Sequence, residues 1–183
     1  MPAVRCDGKA VFVAVDVHYL DESTARAAMV AACDSRFSLV TSTGTATTSV
    51  DAQYQPGAFF RRELPPLLTV IPARDELALI VVDGYVDLDA AGRPGLGAHV
   101  HAKLSVPVIG VAKTRFRTAT HASEVLRGGS SRPLYVTAVG LTIADAASLV
   151  GDMAGRHRVP DAIRLADRLA RGLEAPCPKN VEN

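Results

Sequence analysis

The stretch LALIVVDGYVD, residues 77–87, decides how the chain is read. Leu77 to Val82 form a short apolar run rich in Ile and Val, which has the length and composition of a buried strand. It runs straight into Asp83 and Gly84. A carboxylate at the end of such a strand is costly to bury unless something pairs with it. In isolation an aspartate before glycine is most often a turn residue or a helix cap. The rest of the chain must say what Asp83 faces.

Working outward, AVFVAVDVHY (10–19) has strand composition, with Asp16 interrupting it. Residues 24–48 carry a polar break at Asp34-Ser35-Arg36 and a Thr-rich second half, which predicts a hairpin or meander. AFFRRELPPLLTVI (58–71) has a nearly helical apolar stripe, but Pro65 and Pro66 lie inside it, so a bent or interrupted helix is expected. A Gly/Asp/Pro-rich loop follows Asp83, and LGAHVHAKLS reads as a helix. VPVIGVAK (106–113) and PLYVTAVG (133–140) read as strands on either side of a polar loop. TIADAASLVGDMAG (142–155) offers Thr142 as an N-cap with Asp145 three residues on. PDAIRLADRLARGL (160–173) is an amphipathic helix opened by proline. This order predicts an α/β fold with a central mixed β-sheet flanked by helices. A single domain over residues 1–175 is expected, with 176–183 as a flexible tail.

The composition of the 183 residues, 48% hydrophobic, is that of a globular chain rather than a disordered one. No apolar run approaches the roughly 20 residues that cross a bilayer, and no signal peptide is legible. Cys6, Cys33 and Cys177 are scattered without metal-site spacing. They predict reduced thiols in a cytoplasmic protein, with neither a disulfide framework nor a zinc site. Net charge is only +1, yet residues 1–100 carry 8 Lys/Arg against 12 Asp/Glu and residues 101–172 carry 11 against 5. Such segregation suits a metal-bearing centre beside a phosphate-binding rim, and equally suits two ordinary solvated faces.

Asp16 and Asp83 stand on two strands where apolar residues are expected, and Glu63 sits on the apolar helix beside Arg61 and Arg62. Three converging carboxylates would make a hard oxygen site for magnesium or manganese. The bland alternatives are a turn aspartate and a solvated helical face.

The blocks VAVDVHY, ARAAMV, YQPGAFFRRELPPLL, IVVDGYVD, GLGAHV, VPVIGVAK and VPDAIRLAD, in this order, resemble the endonuclease V family over residues 10–170. The resemblance implies an RNase H-like fold and a Mg2+-dependent endonuclease (Mn2+ as the substitute) that cleaves inosine-containing DNA or RNA. The cut falls at the second phosphodiester on the 3′ side of the lesion. By the same resemblance Asp16, Glu63 and Asp83 match the metal-binding carboxylates, and Lys113 matches a lysine near the scissile phosphate. Tyr54, Gln55, Pro56 and Gly57 match a wedge that enters the strand as the lesion leaves the stack. Gly84 matches a close-approach position in the base pocket, and His99 matches a family histidine. A monomer that needs no membrane is implied.

Two departures stand out. Where the family has a Gly–His pair after the strand 133–140, this chain reads Val139-Gly140-Leu141-Thr142. The 114–132 loop is also shorter than usual, with fewer lysines. His121 and His157 are the candidates to replace the histidine from elsewhere in space. These departures give the rival expectation: a relative that binds nucleic acid but cleaves it weakly or not at all.

Overall fold

A computed structural model describes residue 6, residues 10–50 and residues 60–173. Its frame is one mixed seven-stranded sheet. The strands are β1 (Val11–Tyr19), β2 (Thr24–Ala32), β3 (Val40–Ser49), β4 (Leu77–Asp83), β5 (Val108–Ala112), β6 (Ser123–Val125) and β7 (Leu134–Val139). Their order across the sheet is β3-β2-β1-β4-β5-β7-β6. The first three strands form an antiparallel meander, β4 and β5 run parallel to β1, and β7 returns antiparallel to β5. The helices are α1 (Phe60–Val70), α2 (Leu96–Leu104), α3 (Ile143–Asp152) and α4 (Asp161–Ala170).

The side-chain alternation of a strand splits the core in two. Val13, Val15, Ile80 and Val82 pack on one face with Leu67 and Val70 of α1 and Val100 of α2. Ala14, Val81, Ile109 and Val136 pack on the other with Ala146 and Val150 of α3 and Ile163 and Ala166 of α4. Strands buried on both faces explain why the 77–82 run is continuously apolar rather than alternating.

Three expectations need correction. The helix 58–71 is neither broken nor interrupted over its described part: α1 runs continuously through Pro65 and Pro66. The prolines lie just beyond the first turn, so few backbone bonds are lost, and burial of Pro66, Leu67 and Val70 holds the helix in place. A short strand, β6, forms inside the polar loop because Glu124 and Val125 pair with Tyr135 and Leu134.

The cysteine reading also fails, because Cys6 and Cys33 form a disulfide. The β1–β2 register pairs Phe12 with Ala32, which carries the chain before β1 alongside the chain after β2. Nothing in the spacing of the two cysteines signals that pairing. Disulfides persist in oxidising surroundings, so the cysteines no longer argue for a reducing compartment. No described helix is long and apolar enough to cross a membrane. The bridge spans a sequence separation of 27, and closing a loop of that size stabilises by about 3 kcal/mol in the chain-entropy account. Cys6→Ser is therefore expected to lower the unfolding free energy by about that amount, read from the urea midpoint. An unchanged midpoint would show that the bridge contributes nothing in solution.

Candidate active site

Asp16 and Asp83 come together through strand register. Val15 of β1 lies abreast of Val82 of β4 in a parallel pair, so the next residue of each strand is an aspartate. Alternation turns both toward the face covered by α4, since Ala14 and Val81 already point there. Glu63 arrives in the first turn of α1, from the opposite layer. Arg62 leaves it: its guanidinium donates to the Glu22 carbonyl at 2.6 Å and lies 4.7 Å over the Tyr19 ring.

The electrostatics record how the carboxylates crowd. Burial, then the charges of Asp16 and Asp83, push Glu63 up to about 8. Burial, then Asp83, push Asp16 up to about 7, although its Oδ1 accepts the Val17 amide at 2.8 Å. Lys113, just past the end of β5, donates its ammonium to Oδ2 of Asp83. Burial works to lower Lys113, but the hydrogen bond and charge of Asp83 hold it above its ordinary value.

Sequence reasoning missed one group. Asp167 of α4 adds its charge to those acting on both Asp16 and Lys113. It also accepts from Arg171 Nε at 3.0 Å. A signal was available: Asp167 sits at i+4 from buried Ile163 and next to buried Ala166, so an acid interrupts the apolar stripe of an amphipathic helix.

No described histidine is among the groups whose charges act on Asp16 or Glu63. His99 stacks on Phe60, ring centroids 3.4 Å apart, and burial lowers its pKa. Nδ1 of His101 is 2.8 Å from the Val106 carbonyl. His157 lines a separate groove with Arg156, Arg164 and Arg168. At Gly140-Leu141-Thr142, Thr142 instead caps α3, its Oγ accepting the Asp145 amide at 3.1 Å. Tyr54, Gln55, Pro56 and Gly57 lie outside the described residues.

The family model for endonuclease V matches residues 5–144. The chain belongs to the endonuclease V family. It is 32% identical over 160 residues to endonuclease V of Pyrococcus horikoshii, covering 87% of this chain and 72% of that one. It is 31% identical over 159 residues to that of Thermococcus kodakarensis, covering 87% and 77%. Among solved structures, endonuclease V from Streptomyces avermitilis superposes with a TM-score of 0.70 at 27% identity, over 90% of this chain and 81% of that one. Ciona intestinalis endonuclease V, bound to a 24mer DNA containing an inosine followed by a ribo-adenosine, gives 0.75 at 18% identity, over 91% and 86%. The fold is thus RNase H-like, and membership places the chain among phosphodiester-cleaving enzymes. The matched segment contains Asp16, Glu63, Asp83 and Lys113 but ends before Asp167.

A cavity of about 280 Å³ opens beside Glu63 and Asp83. Its walls include Phe60, Gly84, Tyr85, Leu88 and Leu96. Gly84 takes a φ of +149°, a conformation that residues with a Cβ avoid. Gly110 of β5 is needed for a different reason. A Cβ there would lie 2.7 Å from the Gly84 carbonyl and the Val86 amide, and 2.8 Å from Thr137 Oγ1. The wall backbone passes directly over that glycine. It is anchored where the Val86 amide donates to the buried Thr137 hydroxyl at 2.8 Å.

Proposed function

We propose that this protein is a metal-dependent nuclease that cleaves DNA or RNA at the second phosphodiester on the 3′ side of an inosine. The observation that carries the reading is that Asp16, Glu63, Asp83, Asp167 and Lys113 feel one another's charges beside a cavity that Glu63 and Asp83 line.

The donors fit a hard divalent cation. They are all carboxylate oxygens, and the raised pKa values of Asp16 and Glu63 express a demand for positive charge that a cation would meet. As they stand, no three His, Cys, Asp or Glu side chains among the described residues are close enough to hold an ion. Lys113 occupies Asp83. Asp16, Glu63, Asp83 and Asp167 would hold magnesium, or manganese in its place. When bound, the metal supplies polarisation of a phosphoryl oxygen and an activated water.

The chain's own groups do the rest. Lys113 offers an ammonium to the negative charge that develops on the phosphate. Phe60 and Tyr85 present aromatic surface to a base turned out of the stack. The resemblance assigns the wedge that fills the vacated stack to Tyr54, Gln55, Pro56 and Gly57. We propose a monomer as the working unit.

A second reading, a nucleic-acid-binding relative with little cleavage, is favoured by the Lys113–Asp83 pair and by the absence of a ready ligand set among the described residues. Nicking of a labelled oligonucleotide with one inosine, against its adenine counterpart, separates the two. Cleavage is expected in Mg2+ or Mn2+ and not in chelator. Binding without cleavage in either metal would overturn the first reading in favour of the second.

A further inference from the structure

We infer that Tyr85 is a positioning residue that couples occupancy of the cavity to the placement of Lys113. The inference rests on the function proposed above.

Tyr85 belongs to two parts of the site. It lines the cavity. Its hydroxyl donates to the Thr114 carbonyl and accepts the Phe116 amide, each at 2.9 Å. One phenol therefore closes the turn that follows Lys113. Further stitches join the same two segments. Thr118 Oγ1 donates to the carbonyl of Leu88, another cavity residue, at 2.6 Å. The Phe116 ring lies 6.0 Å from that of Tyr85, and the Arg93 guanidinium lies 6.0 Å over the Phe116 ring. From behind, Arg158 donates to the Lys113 carbonyl and, at 2.8 Å, to that of Pro133.

The lysine thus stands between a fixed anchor, Arg158, and an anchor whose other end is a wall of the cavity. A base entering the cavity bears on the Tyr85 ring. Movement of that ring reaches the lysine through two hydrogen bonds and a single intervening residue. Cleavage then depends on the base being seated as well as bound, because small misplacements of a catalytic group are costly in rate.

Tyr85→Phe keeps the wall and removes only the bridge. On an inosine strand its kcat is expected to fall on the order of 10- to 100-fold, with KM within about 2-fold of wild type. A merely structural tyrosine would raise KM along with any fall in kcat. Hydrogen exchange at the Phe116 amide, expected to quicken in the variant, reports the broken bridge in folded protein. Tyr85→Ala, which also opens the wall, is expected to raise KM as well. Wild-type cleavage of the inosine strand with an unchanged Tyr85→Phe kcat would overturn this inference alone. Failure of the wild type to cleave it would overturn the underlying reading and this inference with it.

Discussion

Asp16→Asn is expected to abolish strand cleavage, by on the order of 10³-fold or more, in folded protein that still binds the oligonucleotide. The amide keeps the shape of the carboxyl, and its oxygen can still accept the Val17 amide that Asp16 Oδ1 accepts at 2.8 Å. It loses the charge that places Asp16 among the carboxylates facing α4. The same loss is expected for Asp83→Ala, with one difference. Removing Asp83 also releases Lys113 from its ion pair, so that variant is expected to bind anionic strands as tightly as wild type or more so. Asp167→Asn tests the group the sequence did not reveal. A large loss there would make α4 part of the site; wild-type turnover would confine Asp167 to its pair with Arg171. Single-turnover nicking with excess protein measures all three without interference from product release.

Metal-free protein becomes less stable as pH rises from about 4 to about 8, and Glu63→Gln removes part of that loss. Asp16 rises from 3.8 to about 7 and Glu63 from 4.5 to about 8. Both folded-state values lie above their unfolded ones, so the folded chain binds these protons more tightly. Their contribution is fully present below the unfolded values, near pH 4, and is lost as pH climbs through the folded ones. Each group adds a slope of at most about 1.4 kcal/mol per pH unit inside that window. Glu63→Gln is accordingly expected to melt higher than wild type at pH 8 and close to it at pH 4. Magnesium should narrow the pH 8 difference by stabilising the wild type, because a ligand that binds only the native state raises its melting point. A variant that melts no higher than wild type at pH 8 in chelator would refute the crowding of charge described here. The pattern is that of a site held at some cost to stability for the sake of its chemistry.

Much of the architecture was legible because buried strands and amphipathic helices write periodic signatures. The runs at 10–19, 77–82, 106–113 and 133–140 became β1, β4, β5 and β7, and Thr142 caps α3 as its spacing with Asp145 predicted. The errors have physical causes. Pro65 and Pro66 suggest an interruption because propensity is local, whereas burial of Pro66 and Leu67 against the sheet's face is not. Cys6 and Cys33 were read as separate thiols because only hairpin register brings them together. Asp167 escaped notice because its charge acts on Asp16 across space, from a part of the chain far removed in sequence.

By itself the sequence determined the α/β class, the family resemblance and the carboxylates Asp16, Glu63 and Asp83 as candidates. Each is written in a local pattern: apolar runs, separated motifs, or an acid where an apolar residue belongs. Tertiary structure alone decided which groups meet. The parallel register of β1 and β4 sets Asp16 beside Asp83, and α4 carries Asp167 over the same face. The close pass of residues 84–86 over Gly110 builds the cavity wall. Strand pairing and layer packing join residues far apart in the chain, and the energies that choose those partners come from burial and charge in three dimensions, which no local pattern records.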